Sequence, residues 1–215
     1  MEACFLCGDA NKDLESSGIV RFFGEDMLQR CFLWDNDDMF IIPGPGSIMP
    51  GYLILATKRH YFRFAELDKN QLFTVQKLVD CISDLGKKLG LENYIFFEHG
   101  GCDIGKGGSC MNHAHLHFAP CKDAGVIVDS LKKFFKEKEH ETLCDIASLR
   151  NEDSYIFIKS DKGIFSYVTP IIESQYIRKF LALQWNVANQ WDWRKYYFLE
   201  NFNETIRLFE RKILL

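Results

Sequence analysis

The sequence contains no apolar run long enough to span a bilayer, which argues against a helical membrane protein. Its start, MEACFLCGDA, lacks the basic residues and apolar stretch of a secretory signal. No block of Lys and Arg appears, and the formal net charge is −4. Proteins that grip duplex nucleic acid draw affinity from neutralising many phosphates, so a duplex is not an expected partner. A single nucleotide needs only a few local donors and stays open. There is no internal repeat and no low-complexity segment. These absences predict a soluble, cytoplasmic chain whose cysteines are mostly reduced.

What is present is core-forming material. Apolar residues make up 47% of the 215 residues and charged ones 26%, with 19 phenylalanines. A chain of that length and composition buries a sizeable core. Of the eight cysteines, Cys31, Cys81, Cys121 and Cys144 sit in apolar patterns and read as small buried hydrophobes. Cys4 and Cys7 stand apart, because a two-residue gap lets both thiolates reach one tetrahedral metal.

Periodicity predicts strands at 19–23 and 29–35, extended by 40–42, then a Gly- and Pro-rich loop over 44–51 and a central strand at 52–57. The spacing of Leu72, Val75, Leu78, Val79, Ile82, Leu85 and Leu89 predicts a helix over 68–89, capped by Asp68 and stopped by Gly90. Strands follow at 94–98 and 111–120, separated by the Gly-rich loop 99–109. Beyond 126 come a short amphipathic helix, a hairpin over 155–168 turning at 160–163, and a helix from near Glu173. That helix is expected to bury Tyr176, Phe180, Leu183 and Val187. A last helix is expected over 201–213.

The chemistry concentrates at His113, His115 and His117: of six histidines, three fall within five residues. On a strand, positions i, i+2 and i+4 share a face, so the three imidazoles are expected to project together while Ala114, Leu116 and Phe118 pack behind them. Three readings compete: chance histidines on a solvent-facing strand, a metal site, and a catalytic row with one imidazole as nucleophile. The loop before them carries Gly100, Gly101, Gly105, Gly107 and Gly108, whose backbone amides can approach an anion closely, with Lys106 adding charge.

The run Gly107-Gly108-Ser109-Cys110-Met111-Asn112-His113-Ala114-His115-Leu116-His117-Phe118-Ala119-Pro120 resembles the signature of the histidine triad superfamily. The resemblance covers roughly residues 1–122. It implies an α+β fold with an antiparallel sheet of about five strands and one long helix. It implies nucleotide binding, hydrolysis or transfer at the α-phosphate, and a homodimer. On this reading residues 1–125 form the nucleotide-binding catalytic domain and 126–215 a hairpin-and-helices extension packed on it. His115 is then the nucleophile, and His117 hydrogen-bonds phosphate oxygens or the leaving group. Gly108, Ser109 and Cys110 fall at phosphate-binding positions. Asp35 is a candidate ribose contact, with a solvated turn residue as the alternative, and Glu98 a candidate histidine or ribose partner. Two departures stand out: many members carry Gln in place of Ser109 and Asn in place of Glu98.

Zinc-containing members resemble this chain in joining an N-terminal Cys-x-x-Cys to two histidines, which implies a structural zinc on Cys4, Cys7, His60 and His113. Phe32 and Phe40 are candidates for a base sandwich or for core. Ser174, Gln175 and Arg178 share a helix side; Arg178 is a phosphate ligand or a solvated arginine. The Trp191–Arg194 stretch reads as packing, and His99 and His140 as ordinary polar residues, with His99 close enough to the Gly-rich loop to touch a ligand. The alternatives to an enzyme are a nucleotide-binding regulatory module and a metalloenzyme that uses all three triad histidines as ligands.

Overall fold

The computed structural model describes residues 4–91, 93–101 and 111–215. Its frame is one antiparallel sheet. Strands β1 (Trp34–Asp35), β2 (Met39–Pro43), β3 (Leu53–Thr57), β4 (Tyr94–Gly101) and β5 (His115–Pro120) arise from the first part of the chain. Strands β6 (Glu137–His140), β7 (Ser154–Ser160) and β8 (Gly163–Val168) arise from the later part. The order is β1-β2-β3-β5-β4-β7-β8-β6, so the sheet has eight strands rather than about five. The expected hairpin forms, but it does not stand apart: β7 pairs along β4 from Phe96↔Lys159 to Gly101↔Ser154. An unpaired β4 edge would leave a row of backbone donors and acceptors open, and the hairpin satisfies them.

The N-terminal region departs from expectation. Residues 18–23 and 25–30 are helices, α2 (Gly18–Phe23) and α3 (Glu25–Arg30), following α1 (Phe5–Asn11). Only Trp34–Asp35 of the expected strand 29–35 is extended. A short, mostly apolar run does not distinguish a buried strand from a short buried helix. The decision is local: the Ser17 side chain accepts a hydrogen bond from the Val20 N–H as an N-cap, and Glu25 and Asp26 face the positive end of α3.

The long helix α4 (Lys69–Lys88) matches its reading, with Asp68 and Gln71 forming a reciprocal capping box. Gly90 follows with φ +69°, the left-handed conformation that ends helices. Leu72, Val75, Leu78, Val79 and Ile82 bury its inner stripe against one face of the sheet. Lys159 of β7 ion-pairs with Asp80 of α4 on that side.

After β5 come α5 (Ala124–Lys132), α6 (Tyr176–Gln184) and α7 (Leu199–Phe209). Helix α6 buries Ile177, Arg178, Leu181 and Ala182, a stripe rotated from the expected one, and Leu183 is 61% exposed. The stripe is set by what the helix meets: Arg178 reaches backbone carbonyls of two other segments. Among the described residues no helix is long and apolar enough to cross a membrane.

Candidate functional site

The site grows from the register of three central strands. Across β5, His115 sits opposite Ala56 and His117 opposite Ile54, both on β3. On the other side His117 sits opposite Phe97 of β4. Directly opposed residues share a face, so Ile54, Phe97, His99, His115 and His117 project together. The His117 ring stacks on Phe97 with centroids 4.5 Å apart and lies edge-on to His115 at 4.8 Å.

His113 does not join them. The strand begins at His115, not at Met111, and residues 111–113 bend away from it. His113 turns its ring to the N-terminal cysteines instead. Its Nδ1 lies 3.3 Å from Cys4 Sγ and 3.5 Å from Cys7 Sγ, and His60 Nδ1 lies 3.1 Å from Cys7 Sγ. All four donor atoms fall within 4.8 Å of one another. A tetrahedral ion with Zn–S of about 2.3 Å and Zn–N of about 2.0 Å spaces sulfur and nitrogen by about 3.5 Å, so the set fits a divalent metal. The second layer fits as well. His113 Nε2 lies 2.7 Å from the Thr57 carbonyl, which can only accept, so the proton sits on Nε2 and Nδ1 keeps its lone pair. Burial and the neighbouring Cys4 sulfur push the Cys7 thiol up to about 12, a cost that a cation between the sulfurs reverses.

The same logic fixes His115. Its Nδ1 lies 2.7 Å from the His113 carbonyl oxygen, which must accept. Nδ1 therefore carries the proton and Nε2 the lone pair. Burial moves the His115 pKa below its ordinary value, so the ring is neutral near pH 7. His117 pairs through Nδ1 with the Tyr52 hydroxyl at 2.9 Å. Burial, then the nearby His115, His99 and Arg178, hold His117 well below the usual histidine range.

These rings floor a recess of about 650 Å³, its open mouth included, walled by Phe5, Leu6 and Phe22 from the N-terminal helices and by Gln175, Arg178 and Trp193 from the later chain. An apolar hollow with a few convergent polar groups is the form of a small-molecule site.

Other expected residues fall elsewhere. Glu98 is on β4 between Phe97 and His99, so it faces the opposite side and does not reach the recess. There it accepts from the Phe64 N–H at 2.7 Å and from the Tyr155 hydroxyl at 2.6 Å. Tyr155 passes directly over Gly100, where a Cβ would stand 2.3 Å from its ring. Asp35 is exposed at the sheet edge and pairs with Lys58 at 3.0 Å, outside the recess lining. Phe32 and Phe40 pack on each other, with Phe40 fully buried as core. His140 bonds the Ser166 hydroxyl. Gly108, Ser109 and Cys110 lie outside the described residues. Arg178 is 3% exposed, which excludes the solvated alternative, and Trp193 and Tyr52 join the site; sequence reading missed the last two. The signal for Arg178 was its spacing from Ser174 and Gln175; its burial follows from the stripe Ile177, Arg178 and Leu181, which differs from the aromatic one.

Glu98 carries a measurable consequence. Burial pushes its carboxyl up to about 7 from an ordinary 4.5, with the Tyr155 and Phe64 bonds opposing more weakly. Below the unfolded value both states are protonated and the group costs nothing. As pH rises through the folded value, up to about 3 kcal/mol of stability is lost. Glu98→Gln is expected to remove that fall. Urea unfolding at about pH 4 and about pH 8 checks it: equal pH dependence in both proteins refutes the assignment.

No family model matches the chain, and no curated protein matches it. Solved structures do. A hypothetical histidine triad nucleotide-binding protein from Sulfolobus tokodaii aligns at 18% identity over 56% of this chain and 70% of its own, with a TM-score of 0.40. A zinc-bound histidine triad family protein from Mycobacterium smegmatis aligns at 14% over 57% and 78%, with a TM-score of 0.41. A yeast Ap4A phosphorylase crystallised with Ap4A aligns at 12% over 73% and 74%, with a TM-score of 0.44. In its described structure, the chain is similar to histidine triad proteins.

Proposed function

We propose that this chain is a histidine triad enzyme that hydrolyses or transfers a nucleotidyl group, with His115 as the nucleophile. The observation that carries the reading is the His115–His113 carbonyl contact of 2.7 Å, which leaves the Nε2 lone pair on a buried, neutral ring lining the recess. Among the described residues Nε2 makes no hydrogen bond.

The reaction balances in two steps. His115 Nε2 attacks the α-phosphorus; an N–P bond forms, the bond from phosphorus to the leaving oxygen or nitrogen breaks, and that atom takes a proton from solvent. Water then attacks the same phosphorus, the N–P bond breaks, and a nucleoside monophosphate leaves with a neutral His115 restored. His117 serves as a donor in the tautomer where the Tyr52 hydroxyl donates to Nδ1, which puts the proton on Nε2 for a phosphate oxygen. Cys4, Cys7, His60 and His113 would hold a structural zinc, which would pin α1 to the residues entering β5.

The metalloenzyme alternative loses support, because His113 turns toward the cysteines while His115 and His117 face the recess. The remaining competitor is a nucleotide-binding module without turnover. Mixing the enzyme with a radiolabelled nucleoside phosphoramidate or dinucleoside polyphosphate and quenching within a turnover is expected to yield a labelled, acid-labile protein adduct. Tight binding with no adduct and no product favours the module instead.

A further inference from the structure

Among the described residues Arg178 is the one arginine or lysine in the recess lining, and none of them neutralises it. It is 3% exposed. Its Nε donates to the Trp191 carbonyl at 3.0 Å and its Nη2 to the Gly46 carbonyl at 2.7 Å. The guanidinium carbon lies 5.3 Å from the centre of the Tyr52 ring. Among the described residues no carboxylate comes within ion-pair distance, and Nη1 makes no hydrogen bond. Asp9 is the one carboxylate among the described lining residues, but its Oδ1 already accepts from the Ser17 hydroxyl at 2.5 Å and the Ile19 N–H at 3.0 Å.

A buried cation held only by carbonyls and a ring face is costly, and an anion delivered by a ligand repays that cost. The scaffold holds the fork rigidly for such a partner. Gly46 has φ +71°, and a Cβ there would stand 2.5 Å from Trp193 Cβ and 3.0 Å from Arg178 Nη2. Gln175 ties the helix start to the 191–193 segment, donating to Asp192 at 3.0 Å and accepting from the Trp193 N–H at 3.2 Å. The ring beneath Arg178 belongs to Tyr52, whose hydroxyl orients His117. The cation, the donor and the nucleophile therefore line one hollow.

We infer that Arg178 is the phosphate-binding residue of the recess, its free Nη1 donor and positive charge taking an oxygen of the substrate's phosphate. The inference rests on the nucleotide reading above and assigns the anion contact to the later part of the chain rather than to the triad alone. A purely structural arginine would tie Gly46 to Trp191 and have no preference between a nucleoside and its phosphate.

Calorimetric titration of the full chain with the four ribonucleoside monophosphates and their nucleosides separates the cases. The wild type is expected to bind one monophosphate at least ~10-fold more tightly than its nucleoside. Arg178→Gln is expected to weaken the monophosphate by roughly 10–100-fold and leave the nucleoside unchanged. Unchanged monophosphate affinity in that variant overturns the Arg178 assignment while leaving the nucleotide reading intact. If the wild type binds no monophosphate, the nucleotide reading itself fails and takes this one with it. Should Arg178→Gln not fold, the guanidinium ¹⁵N signals of the wild type, assigned with Arg178→Lys, carry the test. They shift with the monophosphate and not with the nucleoside, or the assignment falls.

Discussion

Replacing His115 by Asn is expected to lower turnover of a nucleoside phosphoramidate or dinucleoside polyphosphate by roughly 10⁴-fold or more, the scale of losing a nucleophile. Asparagine retains a side-chain N–H for the His113 carbonyl, which His115 Nδ1 approaches to 2.7 Å. The fold is therefore expected to survive, with Tm within a few degrees of wild type. Steady-state rates and thermal melts of the same preparation check both halves. A variant that melts normally and still turns over every such substrate removes His115 from the mechanism.

The second large effect concerns the metal. Cys4→Ser is expected to reduce zinc content from about one equivalent to near none, measured by elemental mass spectrometry. Cys4, Cys7, His60 and His113 all commit donor atoms to one point, so losing a thiolate breaks a closed set. The link ties α1 to the residues entering β5, and its loss is expected to cost roughly 4 kcal/mol, or roughly 10 °C in Tm. Turnover is expected to fall as well, by roughly 10-fold, because His113 supplies the carbonyl that sets the His115 tautomer. His115→Asn is expected to keep its zinc. Metal retained in Cys4→Ser and lost in His115→Asn reverses the two assignments.

The site was partly legible because alternation on a strand is a short-range rule. Once 115–120 is extended, His115 and His117 must share a face, and no tertiary information is needed to say so. The same rule overreached at His113, where the chain leaves the strand and the ring joins Cys4, Cys7 and His60 in a cluster whose geometry fits a metal. Glu98 shows the opposite case. Its neighbour His99 joins the recess and Glu98 does not, since a strand sends successive side chains to opposite faces. Sequence proximity to the Gly-rich loop did not reveal which of the two would face in. Between the two readings of Arg178, ligand or solvated arginine, spacing could not choose. A helix periodicity argument ranks faces by apolar content, and a buried guanidinium sits on the face that such a ranking calls solvent.

What the amino-acid order determined alone was whatever depends on local spacing: the capped helix 68–89, the central strands, the hairpin, and two imidazoles projecting side by side. Tertiary structure decided which segments close around those imidazoles. Helix 18–23 formed where an ambiguous, mostly apolar run could pack on the recess through Phe22, and the later chain docked its β7 strand on β4 and its Arg178 over Tyr52. The physical reason is that backbone preference acts over a few residues, whereas the burial of a charge or the closing of a metal shell depends on groups brought together from more than a hundred residues apart, as Cys4 and His113 are.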